Sequence, residues 1–383
     1  MLELALRGSH RYWLWMLILA VLTGGAGAMF VYQQTAGLTV TAMARDMPWG
    51  FYIAQLTFLV GVAASAVVVV LPDYLHDVKE FGRLVIFGEF LAIPAVILAM
   101  LFVLVDMGQP ARVVNLFLHP SPRSPMFWDS LALLGYLVLT LVIGWKTLQI
   151  ERYGIEPPRW LRSLILLAIP WAISIHTVTA FLYCGLVARP FWLSAVLTPR
   201  FLASAFAAGP ALLILLSLTL RRLTGYDPGD LALLKLAKIM AYAMLLNVFL
   251  IGLELFTSLY SGSPEHITPW VLLFWSFDGI VSPVVPFMWL SAGLAIASIV
   301  LIVRRRTYGR VANLVPLAVM IVLSIWIDKG AGMMTGGLNP SPLGGTTLYF
   351  PSWVEITMGI GLYALGTMIL TVLYKIAVTV KTP

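Results

Sequence analysis

Repeated apolar stretches, each about 20 residues long and separated by short polar connections, constrain the fold of this chain most strongly. One helix of that length crosses the hydrocarbon core of a bilayer. The chain is 60% hydrophobic and 11% charged, whereas an ordinary soluble domain is about 25% charged. The sequence therefore predicts an all-α, polytopic membrane protein, a single integral membrane domain over residues 1–383. Its ten approximate spans are 13–33, 50–71, 84–106, 127–146, 161–184, 200–220, 235–260, 283–303, 311–328 and 355–376.

The N-terminus has some features of a secretory signal peptide. Arg7 and Arg11 precede an apolar run that contains an Ala-Gly-Ala sequence at 26–28, which resembles a cleavage site. The apolar run continues past this sequence to Tyr32. We therefore expect the first helix to be retained.

The basic residues predict the orientation of the chain. Most of the 24 Lys and Arg residues fall on the side of the termini, and the net charge of +7 is distributed in short clusters between spans. This pattern is typical of orientation determinants and argues against nucleic-acid binding. We expect a multi-pass protein of the inner (cytoplasmic) membrane with both termini in the cytoplasm. The basic residues on the other side are Arg45, Arg112, Arg123, Arg189, Arg200 and Lys329.

A faint internal repeat predicts two related four-helix bundles. Span 4 opens with SPMFW at 124–128, and span 8 opens with SP at 282–283 followed by PFMW at 286–289. Spans 2 and 6 both follow a proline, Pro48 and Pro199. We predict one repeat over 50–184 (spans 2–5) and a second over 200–328 (spans 6–9), flanked by spans 1 and 10.

Ionisable residues inside spans are costly, so each is a functional candidate. Glu254 has no obvious local partner, which favours a function. His176 either hydrogen-bonds to neighbouring hydroxyls or has a quinone or proton role, and Glu89 either relays protons or pairs with Arg83. Asp129 is the fourth such residue. Further charged residues lie toward the outer side: Asp46, Asp106, Arg112, Asp278, Glu355 and a pair interpreted as self-neutralising at a span boundary, Asp328 and Lys329.

The long outer segments 107–126, 262–282 and 329–354 are rich in Pro, Gly, Ser and aromatic residues. They predict a docking or gating surface, with plain connectors as the alternative.

The chain lacks the residues for its own redox centre. Cys184 is its only cysteine, whereas an iron–sulfur cluster needs several thiolates. A haem held by two histidines needs both inside spans, and of the five histidines only His176 is so placed. No metal-ligand cluster or nucleotide-binding motif is present. We therefore expect no haem, iron–sulfur cluster or metal site in this chain.

Four strings together resemble the NrfD/PsrC-like family, the membrane subunits of polysulfide-reductase-type complexes. They are DMPWG at 46–50, DMGQPAR at 106–112, SPMFWD at 124–129 and IHTVTA at 175–180. The length and the motif after span 3 are most similar to the DsrP branch, which belongs to the Dsr membrane complex of sulfur metabolism. Span 1 departs from the smaller PsrC-type members, because it offers only Gln33 and Gln34 where they carry an Asn/His pair.

The resemblance implies a subunit that binds menaquinone near the periplasmic face and exchanges electrons with a periplasmic, four-cluster ferredoxin-like iron–sulfur protein, alongside other Dsr-type subunits. It implies catalytic roles for His176, Asp129 and Asp106. Further quinone-binding candidates are Trp128, Asp46, Trp49 and Arg112, where Arg112 either holds Asp106 or contacts the partner. Glu89 and Glu254 are the candidates for proton movement. The rival classes are a secondary transporter or ion channel and a purely structural anchor.

Overall fold

The computed structural model describes residues 2–76, 79–277, 279–304 and 309–382, so Asp278 lies outside the described residues. The prediction of an all-α protein with about ten spans is confirmed, since the described residues contain ten helices long and apolar enough to cross a membrane. These spans 1 to 10 are His10–Ala36, Phe51–Pro72, Val85–Asp106, Pro125–Tyr153, Arg159–Cys184, Leu197–Thr224, Asp230–Ser261, Val285–Val303, Val311–Leu338 and Trp353–Lys381.

Two spans are irregular. Span 2 comprises helix Phe51–Ala63 and most of helix Ser65–His76, with a turn at Ala64 between them. Span 9 begins with a 3₁₀ turn at Val311–Asn313, continues as Leu314–Ile327, widens to a π-helical turn at Asp328–Gly332 and ends as Met333–Leu338. Such π-helical turns inside helices frequently mark functional sites.

The predicted end of span 9 at residue 328 is wrong, and the outer segment begins at 339 rather than 329. The glycines that indicated a loop lie inside the helix and make room for close packing. A Cβ on Gly336 would press on Phe191, and one on Gly337 would overlap Trp192. The indole Nε1 of Trp192 also donates to the carbonyl of Met333 at 2.9 Å.

The connections contain short elements. Helix Leu2–Leu6 precedes span 1, and 3₁₀ turns lie at Leu38–Val40, Lys79–Arg83 and Pro110–Val114. Helix Asn115–Leu118 follows the last of these turns. The segment between spans 7 and 8 forms helix Pro264–Phe274 and an antiparallel pair of two-residue strands, Ser276–Phe277 and Ile280–Val281.

Helix packing divides the bundle into two groups. Span 3 packs between spans 2 and 4, and span 4 packs on span 5; span 6 packs on spans 7 and 9, and span 9 on span 8. The groups meet where spans 2 and 5 contact span 6. Spans 1 and 10 pack on each other, and span 10 also packs on span 3. The relation between the groups as an internal repeat stays a prediction.

Both chain ends lie at the same end of the bundle, here called the terminus face. There the Lys375 ammonium donates to the carbonyl of Ala5 at 3.2 Å, and the Lys381 ammonium pairs with Glu151 at 2.8 Å. The opposite end, here called the loop face, comprises the described residues of connections 37–50, 107–124, 185–196, 262–284 and 339–352. Placement of the terminus face in the cytoplasm stays a prediction.

Spans 1 and 10 pack closely at Gly361. A Cβ at this position would overlap Ala26 and the backbone oxygen of Leu22, a small-residue contact common between membrane helices. We expect Gly361→Val to lower the free energy of unfolding by about 1–3 kcal/mol, measured as thermal stability in detergent. Gly27→Val is the control, because a Cβ there meets nothing within 4 Å. Equal loss in both variants would contradict the packing role.

Candidate functional site

A cavity of about 540 Å³ lies between spans 2, 8, 9 and 10 near the loop face. Its wall is almost entirely apolar and includes small residues of span 2 and of the π-helical turn, which leave the space open. The residues that line it are Gly50, Phe51, Ala54, Gln55, Pro283, Val284, Phe287, Trp326, Ile327, Gly330, Ala331, Met334, Thr335, Tyr349, Phe350, Pro351, Ile356, Gly359, Ile360 and Tyr363.

The rim of this cavity lies on the lateral surface of the helix bundle. Ile356 and Ile360 of span 10 are 38% and 53% exposed, and Phe287 of span 8 is 43% exposed. The ring of Phe287 lies 6.4 Å from that of Phe350, centroid to centroid, across the rim. In a membrane these exposed apolar side chains contact lipid, so the cavity opens sideways toward the bilayer.

Gln55 provides a polar group in this apolar wall. Its carboxamide oxygen accepts hydrogen bonds from the Trp326 indole at 2.8 Å and from the Tyr363 hydroxyl at 2.7 Å. Its amide nitrogen donates to the carbonyl of Phe51 at 3.3 Å. Three helices thereby fix the orientation of one buried amide, and the apolar surroundings strengthen these bonds.

A tyrosine–glutamate pair lies at the loop-face end of the cavity. The Tyr349 hydroxyl donates to Glu355 at 2.5 Å and accepts from the backbone N–H of Phe51 at 2.6 Å. A Cβ on Gly50 would overlap this hydroxyl, so the approach requires glycine. Burial and the charge of Glu355 raise the pKa of Tyr349, so the phenol stays protonated.

Glu355 is fully buried but well supported. One carboxylate oxygen accepts from Tyr349, and the other accepts from the backbone N–H groups of Ala42 and Ser352, at 2.9 and 2.8 Å. Ser352 in turn accepts from the Glu355 N–H at 3.3 Å, which completes a capping box at the start of span 10. The helix N-terminus and these donors stabilise a negative charge beside the cavity.

None of the nine residues predicted as site residues lines this cavity. His176 and Asp129 instead lie inside spans 5 and 4, where both are buried. The Thr179 hydroxyl donates to Asp129 at 2.5 Å, whereas neither ring nitrogen of His176 has a hydrogen-bond partner among the described residues. The alternative that neighbouring hydroxyls satisfy His176 is therefore wrong.

The structure does not pair Asp106 with Arg112. One carboxylate oxygen of Asp106 is buried and has no hydrogen-bond partner in the part of the chain that the structure describes, and the Arg112 side chain is exposed. Trp128 is 47% exposed and its indole donates to the carbonyl of Pro122 at 2.8 Å. None of these three candidates lines the cavity; they lie at or near the connection between spans 3 and 4.

Trp49 and Asp46 lie on the loop face next to the connection between spans 5 and 6. The ring of Trp49 stacks on Trp192 at 5.8 Å and meets Tyr183 edge-on at 5.9 Å, centroid to centroid. Burial lowers the pKa of Arg189, and the nearby Asp46 carboxylate opposes that shift. Trp49 therefore belongs to a buried aromatic cluster, one residue from the cavity-lining Gly50.

Glu89 is buried in the first helix group, and one of its oxygens has no hydrogen-bond partner among the described residues. It borders a small cavity of about 10 Å³ together with Tyr136 and Thr140. The alternative pairing with Arg83 is wrong, because the Arg83 guanidinium donates to the carbonyl of Asp227 at 3.4 Å. Glu89 remains a candidate for proton movement.

Glu254 has a partner that its sequence context did not indicate. The Arg200 guanidinium bonds to Glu254 and, through its other terminal nitrogen, to both oxygens of Asp328 at 2.8 and 2.7 Å. The expected pair of Asp328 with Lys329 is therefore wrong. The Lys329 ammonium lies 4.2 Å above the ring of Phe201 instead, and it is buried.

Sequence signals existed for some of the missed residues. Ser352 and Glu355 have the spacing of a capping box immediately before an apolar run. Gln55 is a polar residue within span 2. The predicted span 6 begins at Arg200, whereas the helix starts at Leu197 and includes this residue. Among the described residues no group of three or more His, Cys, Asp and Glu side chains could hold a metal ion.

Comparison with known proteins identifies relatives over most of the chain. A putative dimethyl sulfoxide reductase membrane subunit of Halobacterium salinarum is 26% identical, over 94% of this chain and 89% of its own length. The Hdr-like menaquinol oxidoreductase integral membrane subunit of Archaeoglobus fulgidus is 23% identical, over 72% and 71%. A selenate reductase subunit of Mesobacillus selenatarsenatis is 24% identical, over 50% and 53%.

A family model described as "Polysulphide reductase, NrfD" matches residues 39–327, which include all of spans 2 to 8 and over half of span 9. The segment also contains all nine predicted site residues. The more specific resemblance to the DsrP branch stays a prediction. Because the match covers well over half of its length, this chain belongs to the polysulphide reductase NrfD family.

Proposed function

We propose that this chain is the quinone-interacting membrane subunit of a reductase-type redox complex and takes menaquinol in the cavity between spans 2, 8, 9 and 10. The observation that carries the proposal is an apolar, laterally open cavity with a buried tyrosine–glutamate pair at its loop-face end. Related proteins named as reductase or menaquinol oxidoreductase membrane subunits support the same class.

The cavity fits the chemistry of a quinone. Its volume of about 540 Å³ is in the range of about 300–1,000 Å³ that small-molecule sites occupy. Apolar walls suit a flat aromatic head group, and the rim at Ile356 and Ile360 gives an isoprenoid tail a way into the bilayer. When bound, a quinol supplies two electrons and two protons on oxidation.

The residues of the chain divide into two roles. Trp326, Tyr363 and Gln55 form a fixed wall through their mutual hydrogen bonds, and this wall orients the head group. Tyr349, which lines the cavity and bonds to Glu355, passes a proton to that carboxylate while taking one from the quinol. A positioned acid–base group of this kind contributes about 10²–10⁴-fold to a rate.

Electrons require a partner, because a single cysteine cannot hold an iron–sulfur cluster. We propose an iron–sulfur protein on the loop face, as the family resemblance implies, within a complex of the Dsr type. The cavity lies at that end of the bundle, with the 339–352 connection forming part of its wall. A docked cluster would therefore approach the head group from the loop face.

The residues His176 and Asp129 define a second location for the same function. They lie in spans 5 and 4, away from the cavity, and both are buried. His176, whose two ring nitrogens have no partner among the described residues, is suited to hydrogen-bonding a carbonyl. The two locations make opposite predictions for the same variants.

The test is a quinone-binding titration of the purified chain in nanodiscs with a soluble naphthoquinone analogue, followed by quenching of tryptophan fluorescence. We expect Ala54→Phe, which fills the cavity, to weaken binding at least about tenfold, a loss of about 1.4 kcal/mol. Ile296→Trp on the exposed outer face of span 8 is the control, and binding should be unchanged. Loss of binding in His176→Leu with full retention in Ala54→Phe would move the site to spans 4 and 5.

A further inference from the structure

A second cavity, here called the vestibule, opens on the loop face on the other side of span 9. Its volume is about 240 Å³, and it lies between the 185–196 connection, span 7 and helix Pro264–Phe274. Unlike the cavity between spans 2, 8, 9 and 10, the vestibule is lined by polar groups as well as apolar ones. The polar lining residues are Ser194, Glu254, Thr257, Ser258, Ser261 and His266.

Four of these residues form one stripe on span 7. Glu254, Thr257, Ser258 and Ser261 are spaced at i, i+3, i+4 and i+7, which places them on one face of a helix. Ser261 near the loop face and Thr257 are exposed, whereas Glu254 is only 7% exposed. The stripe therefore runs from the open end of the vestibule down to a buried carboxylate.

Glu254 is incompletely satisfied at the inner end of the vestibule. Its Oε2 binds Arg200, whereas its Oε1 is buried and has no hydrogen-bond partner among the described residues. An unpaired buried carboxylate oxygen is costly unless a ligand, water or proton satisfies it. The polar walls indicate that water reaches this atom.

The groups around Glu254 let it gain a proton without breaking the cluster. The two bonds of Arg200 to Asp328 come from a different guanidinium nitrogen than its bond to Glu254, so they do not depend on the charge of Glu254. The Lys329 ammonium over Phe201 supplies a second positive charge, so two cations face two carboxylates. Protonation of one carboxylate therefore changes the net charge of these four groups only from zero to +1.

Other titratable groups near Glu254 come from two further elements. The Cys184 thiol at the end of span 5 lies within electrostatic reach of the carboxylate, and its Sγ donates to the carbonyl of Ser194 at 3.6 Å. His266 of helix Pro264–Phe274 faces it across the vestibule. Together with Arg200 from span 6 and with Asp328 and Lys329 from span 9, these groups set its protonation.

We propose that Glu254 is a proton-exchange site reached from the loop face through the vestibule. A proton passes from water in the vestibule to Oε1, where it forms an O–H bond, and returns by the same route; no electrons move. The Arg200 guanidinium then bonds to Asp328 alone until the proton leaves Glu254. This exchange needs neither quinone nor partner, so it stands or falls separately from the proposed quinone site.

The first part of the test is access of water to the stripe. Cys184 is the only cysteine of the chain, so Cys184→Ala gives a clean background for Thr257→Cys in the full chain in nanodiscs. We expect a charged methanethiosulfonate to label this thiol at least about tenfold faster than Phe256→Cys, since only a thiol in contact with water ionises and reacts. Phe256 is the adjacent residue, 61% exposed on the apolar side of the helix. Equal labelling rates would overturn the vestibule as an aqueous path.

The second part is protonation of Glu254, followed by infrared difference spectroscopy across a pH jump. We expect a protonated-carboxyl band that is lost in Glu254→Gln. In a chain that keeps Glu254, Ser258→Trp should obstruct the vestibule and slow the appearance of this band about tenfold, whereas Phe256→Trp should not. A protonated-carboxyl signal that is unchanged in Glu254→Gln, or a Glu254 band whose rate is the same in both tryptophan variants, would overturn the proposal.

Discussion

Replacing Arg200 by leucine is expected to lower the free energy of unfolding by about 3–5 kcal/mol, because two buried carboxylates lose the guanidinium that bonds to both of them. The side chains of Arg200, Glu254 and Asp328 are only 5%, 9% and 14% exposed. The Lys329 ammonium remains as a positive charge nearby, but it lies over the ring of Phe201 and makes no hydrogen bond to either carboxylate among the described residues. Chemical unfolding in detergent micelles, with near-native folding checked by circular dichroism, measures the loss.

A second variant separates the charge effect from lost packing. Adding Glu254→Leu and Asp328→Leu to Arg200→Leu removes the unpaired charges and should restore most of the stability, because apolar replacement of a buried ionic cluster is often neutral. Arg221, which pairs with Asp230 in exposed surroundings, is the matched control, and Arg221→Leu should leave stability nearly unchanged. If Arg200→Leu behaved like the Arg221 variant, the cluster would have no structural role.

The number of helices could be predicted from the sequence, because length and hydropathy alone decide which stretches can cross a bilayer. The ends of the helices could not. Arg200 and Asp328 lie inside their helices, although a charged residue near the end of an apolar run usually indicates the end of a membrane span. Both are tolerated there because Arg200 bonds to Glu254 and to Asp328, which are 54 and 128 positions away in the sequence. Partners so far apart cannot be recognised from the local sequence.

The cavity was beyond prediction for a related reason. Its polar contacts join Gln55 to Trp326 and Phe51 to Tyr349, which are 271 and 298 positions apart in the sequence. Its volume depends on small side chains in several helices, which an apolar run does not distinguish from packed ones. Burial cost makes charged residues inside spans the functional candidates of the sequence, whereas the residues lining the cavity are uncharged.

The predicted residues inside spans 3, 4 and 5 have a mixed outcome. Glu89, Asp129 and His176 are buried as their positions indicated. Their hydrogen bonds could not be predicted. Thr179 donates to Asp129, whereas no described residue forms a hydrogen bond with the His176 ring. Roles for these residues in quinone or proton chemistry stay predictions.

Among the proposed catalytic groups, we expect Tyr349→Phe to have the largest effect on turnover. Removing the hydroxyl breaks the bond through which this residue links the cavity to Glu355, so kcat for quinol oxidation by the assembled complex should fall about 10²-fold, the usual effect of one acid–base group. KM should change little, because the ring that lines the cavity is retained. The measurement is steady-state quinol oxidation in proteoliposomes.

The variant also leaves the Phe51 N–H without its acceptor, which costs about 1–3 kcal/mol of stability, so the melting temperature must be followed in parallel. Glu355→Gln removes the proton acceptor but keeps an oxygen for Tyr349, and it should reproduce the loss in kcat. Tyr260→Phe, at a side chain that is 82% exposed, is the matched control and should turn over normally. Full kcat in both Tyr349→Phe and Glu355→Gln would mean that the quinol proton leaves by another route, and the path through His176 and Asp129 would then be the one to follow.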